Sequence, residues 1–177
     1  MNSPDWMLCQ LNAVTDAQIE QLADLLIECV EGGASVSFML PITREHAESF
    51  WRRVAKDVHE GKRALLIAQD TEGICGTVQL ILDLPENQPH RADLAKMLVP
   101  RRARRRGLGS ALMREAERIA RGLGKNLLVL DTVTGGDGER LYTRLGWTRV
   151  GIIPNFALFP DGCFCNTTIF YRILDAS

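Results

Sequence analysis

The chain predicts an α/β fold: a mixed, mostly antiparallel central sheet of six to seven strands flanked by about four helices. Three observations carry that expectation. Short apolar runs bounded by Gly, Pro, Asn and Asp mark strands. Longer segments with apolar residues three and four apart mark helices. One strand–helix–strand unit, residues 91–132, demands a right-handed crossover and a parallel strand pair, whereas the other strands mostly follow one another as hairpins. The 177 residues suit one domain spanning residues 1–177, and 46% hydrophobic content supplies a core without metal or disulfide support.

Each element has a local reason. Residues 6–11 form a first short strand. Thr15 opens a helix with Gln18 three positions on, a capping-box arrangement. Ile19, Leu22, Ala23, Leu25, Leu26, Cys29 and Val30 then recur at helical spacing until Gly32-Gly33. Residues 34–42 form an apolar loop containing Phe38, Met39 and Pro41. Thr43 caps a second helix running to about Glu60, without a full capping box because His46 stands where an acid or amide would reach back. Residues 64–69 and 74–82 are strands joined by a tight turn at 70–73. The fourth strand covers residues 91–99, and a third helix covers 110–121. The fifth strand, 126–132, is apolar enough for burial on both faces. A short fourth helix spans about 139–145. Strands at 147–152 and 167–173 close the chain, separated by a long excursion carrying Pro154, Pro160, Asp161 and Gly162.

Composition excludes several classes. The net charge of −1 gives no global attraction to polyanions, and positive charge is local to Arg101, Arg102, Arg104, Arg105 and Arg106. The five cysteines are odd in number and lack C-x-x-C spacing, which argues against a disulfide framework or a zinc site and for reduced thiols. No apolar run reaches the ~20 residues of a membrane span. The start of the chain, with Asp5 and Trp6 and no basic cluster, does not read as a signal peptide. The expected setting is cytoplasmic, without metal, membrane or nucleic-acid partner, as a monomer or homodimer.

The most informative stretch is Arg104-Arg105-Arg106-Gly107-Leu108-Gly109. It follows a strand and opens a helix. Free backbone N–H groups at a helix N-terminus, flanked by guanidinium groups, make an anion site. The spacing differs from those of dinucleotide folds and nucleotide triphosphatases. A second motif, Leu141-Tyr142-x-x-Leu145-Gly146-Trp147, lies beyond the next helix and strand.

Together the two motifs resemble the GNAT N-acetyltransferase superfamily over roughly residues 64–173. The resemblance implies that strands four and five splay to admit acetyl-CoA. Its pyrophosphate would lie on the amides of Arg105, Arg106, Gly107, Leu108, Gly109 and Ser110, near the side chains from Arg104 onward. Its arm would pair with the backbone of Met97, Leu98 and Val99. Tyr142 would face the cofactor sulfur. A narrower likeness, to the tabtoxin-acetylating branch, rests on residues 32–39, Arg91-Ala92, residues 96–99, residues 130–132 and the Pro160-Asp161-Gly162 turn. It implies a small amino-acid-, dipeptide- or antibiotic-like amine acceptor. Two departures stand out. Pro100 follows Val99 directly where the family has Val-x-Pro. Gly135 and Gly138 replace the family's Asn and Ala upstream of the tyrosine, so an Asn contact to the cofactor is missing or is made by backbone.

Acetyl transfer to an amine needs a proton acceptor, because an ammonium of pKa about 10 must first be neutralised. Asp93 and Asp131 are the candidates, each interrupting an apolar strand where an unused carboxylate is costly. Asp93 lies ~20 Å from Val99 along the strand, about the reach of an extended pantetheine arm. In simple parallel register Asp131 sits at the far end from Asp93, making the two rivals rather than partners. Tyr142, neutral at pH 7, can protonate the leaving thiolate. Phe38 and Met39 are candidate walls of the acceptor pocket, with residues 155–164 opposite. Peptide or protein amines are the alternative acceptors. A coenzyme A sensor without catalysis, or a nucleic-acid-binding module using the basic turn, is the alternative of another class.

Overall fold

In the computed structural model, which describes residues 5–174, chain order runs as follows. β1 (Met7–Leu11) leads to α1 (Asp16–Glu31), α2 (Arg44–His59), β2 (Arg63–Asp70), β3 (Gly73–Ile81) and β4 (Arg91–Leu98). A 3-10 turn (Arg101–Ala103) precedes α3 (Leu108–Gly122), followed by β5 (Leu127–Val133), α4 (Asp137–Arg144), β6 (Thr148–Leu158) and β7 (Phe164–Ile173). Part of the N-terminal stretch read above for a signal, residues 1–4, lies outside the described residues. The seven strands form one sheet in the order β1-β2-β3-β4-β5-β7-β6. Only β4 and β5 pair in parallel, as the crossover through α3 requires.

The caps behave as their residue types dictate. Thr15 Oγ1 accepts from the Gln18 N–H at 3.3 Å, and Gln18 Oε1 accepts from the Thr15 N–H at 2.9 Å. Thr43 accepts from the His46 N–H at 3.2 Å with no return bond. Strand alternation then divides the sheet into two faces. Leu66, Val78, Leu80, Ala92, Leu94, Leu128 and Leu130 pack under α3 and α4. Leu65, Ile67 and Ile74 pack under α1 and α2. α3 comes close to β3 because Gly76 carries no side chain: a Cβ there would stand 3.0 Å from Leu112 Cδ1 and 3.2 Å from Leu108 Cδ2.

Two features of β4 shape everything downstream. The first is a bulge. Gln79 pairs with Ala95 and Thr77 with Leu98, so β4 carries one residue more than β3 across that step. Lys96 sits in it at φ 49. The second is the loss of its β5 partner. Arg91, Ala92 and Asp93 pair with Leu127, Leu128 and Val129, and the pairing stops there. The remainders of the two strands diverge, giving the splay expected from the sequence resemblance.

Three sequence expectations need correction. The long excursion near the C-terminus is strand on both sides: β6 continues to Leu158 and β7 begins at Phe164, with a turn at 159–163. Pro154 misled because it cannot donate to a ladder. It sits in a bulge where residues 154–156 lie between the pairs Ile153–Thr167 and Ala157–Cys165. Asn155, at φ 50, satisfies its N–H through Asn166 Oδ1 at 3.0 Å. Val99 falls just outside β4. Asp93 and Asp131 are not at opposite ends. Asp93 is opposite Val129, which places Asp131 two residues onward and, by alternation, on the same face.

Candidate active site

The basic turn is built to expose amides. Arg105 and Gly107 both take positive φ, 59 and 82, turning the chain sharply into α3. α3 has no side-chain cap, and its first ladder bond runs from Ala111 N to Gly107 O at 3.1 Å. The preceding amides of Leu108, Gly109 and Ser110 lack helical acceptors, as at any helix start. The helix dipole adds positive potential there. Gly109 lets this turn approach β4: a Cβ would lie 3.0 Å from Met97 Cε.

Four arginines of this stretch have different employments. Arg102 is ion-paired to Asp70 at 2.6 Å, holding that carboxyl below its usual range, and reaches Glu72 at 3.3 Å. Arg106 bonds Asp5 at 2.5 Å. Arg104 Nε donates to the Val99 carbonyl at 3.0 Å, bracing the turn against the end of β4. Arg105 is exposed and has no ion pair among the described residues.

From this turn the cleft between β4 and β5 leads to Tyr142 on α4. Its ring is buried, 6.0 Å from both the Trp147 and Phe170 rings. No protein group among the described residues bonds its hydroxyl. Burial pushes the phenol well above its ordinary value, and the Asp131 charge pushes the same way. α4 is seated closely by a glycine: a Cβ on Gly138 would stand 2.5 Å from Thr132 Oγ1. Glu139 fixes the preceding loop through the Gly135 N–H and accepts from Thr168 Oγ1 at 3.1 Å. Beneath α4, the buried Glu117 accepts from Trp147 Nε1 at 3.2 Å and pairs with Arg172 at 3.3 Å.

On the opposite face lie the acidic candidates. Asp93 is ion-paired to Arg91 on its own strand. Asp131 is exposed in the splayed part of β5, with Thr167 Oγ1 3.1 Å from Oδ2. Across the cleft is a residue the sequence reading passed over, Lys96. Its Nζ donates to Ser37 Oγ at 3.1 Å and lies 5.7 and 6.0 Å from the Phe50 and Phe38 ring centres. Desolvation lowers its pKa, as does Arg63, and Asp131 opposes them. The signal was available: Lys96 interrupts an apolar strand just as the two aspartates do.

The loop between α1 and α2 closes over this side. Phe38 is buried against Phe50 and His46, with ring centres 5.2 Å apart in each pair, whereas Met39 is exposed. Ser35 Oγ donates to the Leu158 carbonyl at 2.7 Å, and Leu40 N to the Pro160 carbonyl at 3.0 Å. The loop is thereby tied to the β6–β7 hairpin across the splay. The described residues contain no cluster of three or more His, Cys, Asp or Glu that could hold a metal, and no helix long and apolar enough to cross a membrane.

A parallel pair that opens into a cleft, an amide-rich turn at its mouth and a tyrosine at its inner end define an acyltransferase that takes a phosphorylated thioester donor. The family comparison makes this specific: the acetyltransferase (GNAT) family model matches residues 20–147, and the chain belongs to that family of acetyl-CoA-dependent N-acetyltransferases. Solved structures share the fold. One is yncA from Salmonella typhimurium with its cofactor acetyl-CoA, at 15% identity, covering 98% of this chain and 96% of that one, TM-score 0.78. Another is the ribosomal-protein-alanine N-acetyltransferase from Brucella melitensis, at 19% identity, 95% and 99% coverage, TM-score 0.77. A third, proposed to be a phosphinothricin N-acetyltransferase, has 20% identity, 96% and 99% coverage, TM-score 0.77. The residues present fit acetyl-CoA: unfilled amides and the exposed Arg105 suit its phosphates, and the unpaired strand edges suit its amide-bearing arm.

Proposed function

We propose that this chain acetylates the primary amine of a small amino-acid-, dipeptide- or antibiotic-like acceptor, tabtoxin-like molecules included, in the cytoplasm. Acetyl-CoA supplies the acetyl group as a thioester, from which an unprotonated amine displaces the thiol.

The amides of Leu108, Gly109 and Ser110, with Arg104 and Arg105, hold the phosphates, and the backbone of residues 97–99 orients the arm. Asp131 takes the amine's proton, directly or through water. It lies in the splayed part of β5, and its charge is felt by Tyr142 across the same cleft. Asp93 is committed to Arg91 and orients the strand. Tyr142 keeps its proton and donates it to the departing sulfur, its hydroxyl having no competing protein acceptor.

The observation that carries the small-acceptor reading is the tie between loop and hairpin, Ser35 to Leu158 and Leu40 to Pro160, which holds the loop against the hairpin whose strand β7 pairs with Asp131. Thiol release from acetyl-CoA, measured over amino acids, dipeptides, aminoglycosides and peptide N-termini, tests it. Turnover confined to the small amines is expected; turnover confined to long peptides would transfer the assignment to protein amines.

A further inference from the structure

Lys96 is a charge without a visible purpose. It sits in the β4 bulge at φ 49, in a conformation that non-glycine residues rarely adopt. Its one hydrogen-bond partner, Ser37, is likewise held at positive φ, 75. Such backbone strain persists only where the surroundings impose it, and it gathers at ligand sites. Phe38 and Phe50 strip water from the ammonium while their faces partly compensate its charge. No carboxylate lies within 4.0 Å of Nζ among the described residues. Ser37 uses one of three N–H donors, leaving two. A desolvated ammonium is costly unless something anionic completes it.

The nearest candidate on the protein, Asp131, lies across the cleft and acts on Lys96 only at longer range. An acceptor placed between them would meet a carboxylate on one side and an ammonium on the other. That is the complement of a zwitterion: the amine toward Asp131, an acidic group toward Lys96.

We propose that Lys96, seated by Ser37, Phe38 and Phe50, binds an anionic group of the acceptor, a carboxylate or an equivalent phosphorus oxyacid, and so selects amines that carry a negative charge close to the reacting nitrogen. This deepens the small-acceptor reading and rests on it for the position of the amine. A salt-bridged, hydrogen-bonded anion would discriminate against its neutral isostere by about ten- to a hundredfold. Lys96 has no role in the chemical step, so its loss raises KM for acidic acceptors more than it lowers kcat.

The test pairs each free amino acid and dipeptide with its C-terminal amide, on wild type, Lys96→Met and Lys96→Arg. Binding is read by saturation-transfer NMR on the coenzyme A-loaded protein, and turnover by thiol release. In wild type, free acids should bind in preference to amides. Lys96→Met should abolish the preference without lowering the melting temperature, and Lys96→Arg should restore part of it. Equal binding of acids and amides by wild type, no binding of either, or an unchanged preference in Lys96→Met would overturn the proposal. Acid binding that depends on Lys96, with no thiol release, would leave this site standing and remove the amine-acetylation reading instead.

Discussion

Tyr142 holds its proton because its ring is packed between Trp147 and Phe170, where a phenolate would be unsolvated. It thus stays protonated at neutral pH. Tyr142→Phe keeps the packing and removes only the proton. It should cut kcat about a hundredfold while calorimetry shows acetyl-CoA affinity within a few-fold of wild type. The two aspartates separate in the same assay. Asp131→Asn should lower kcat about 10²- to 10⁴-fold. Asp93→Asn, which loses an ion pair to the partly buried Arg91, should affect turnover by less than about tenfold. A larger loss in Asp93→Asn than in Asp131→Asn would make Asp93 the proton acceptor. The thiols give a further prediction at this scale. Burial raises Cys29 and Cys75 from 9.0 to about 11, with Arg104 opposing at Cys29 and Asp70 adding at Cys75. Above pH 9 the unfolded chain ionises these thiols while the folded one does not. Their contribution is therefore complete below pH 9 and lost as pH rises through 11, about 2–3 kcal/mol for each. Urea midpoints should fall over that window, and Cys75→Ala should shallow the slope. Exposed Cys9 and Cys163 should react with a thiol reagent in the native state.

At the scale of elements, what the sequence revealed follows from which forces are local. Caps at Thr15 and Thr43, glycine stops and the 70–73 turn are decided by neighbours in sequence, and they stand where the chain predicts them. The C-terminal hairpin was obscured because its length is set by β7, a partner that carries Thr167 and Thr168 in buried positions and tolerates Pro154 through a bulge. The closeness of Asp93 and Asp131 was hidden for the same reason: register is a tertiary quantity, and a two-residue offset cannot be read from spacing. Lys96 was legible and passed over. Gly138 shows the converse, a departure from the family pattern that only packing explains. Its hydrogen is all that fits 2.5 Å short of Thr132 Oγ1, which lets α4 carry Tyr142 down onto the sheet. Gly138→Ala should therefore destabilise the fold by about 1–3 kcal/mol and lower kcat by moving the tyrosine. Thr132→Ala introduced with it should recover part of both losses, since the clashing oxygen is gone. A double-mutant cycle in melting temperature and kcat checks this, and additive effects would mean that the contact does not set the position of α4.

At the scale of the whole molecule, the sheet gives up pairing between β4 and β5 for most of their length in order to hold a ligand there. Beyond Asp93 the two sides of the cleft are joined mainly by the core under α3 and α4, where Ala92 and Leu94 meet Leu128, Leu130 and Phe170. The loop-to-hairpin bonds join them on the other face. A donor lying in the cleft adds a third connection, from the α3 N-terminus to α4. Saturating acetyl-CoA, at a hundred times its Kd, should stabilise the protein by about 2.7 kcal/mol. For a chain of this size that is a rise of roughly 5–10 °C in Tm. The turn can be tested separately from the core. Gly107 has open space around it but a φ of 82, so Gly107→Val strains the turn without crowding the interior. The variant alone should melt a few degrees lower, by about 1–2 kcal/mol, and the rise on adding acetyl-CoA should vanish. In wild type the same rise should shrink as salt increases from 50 to 300 mM, because exposed Arg105 attracts phosphate through screened solvent. A Gly107→Val protein that keeps the full ligand-induced rise would move the phosphate site away from α3. The splay between β4 and β5 would then need another reason for the pairing it forgoes.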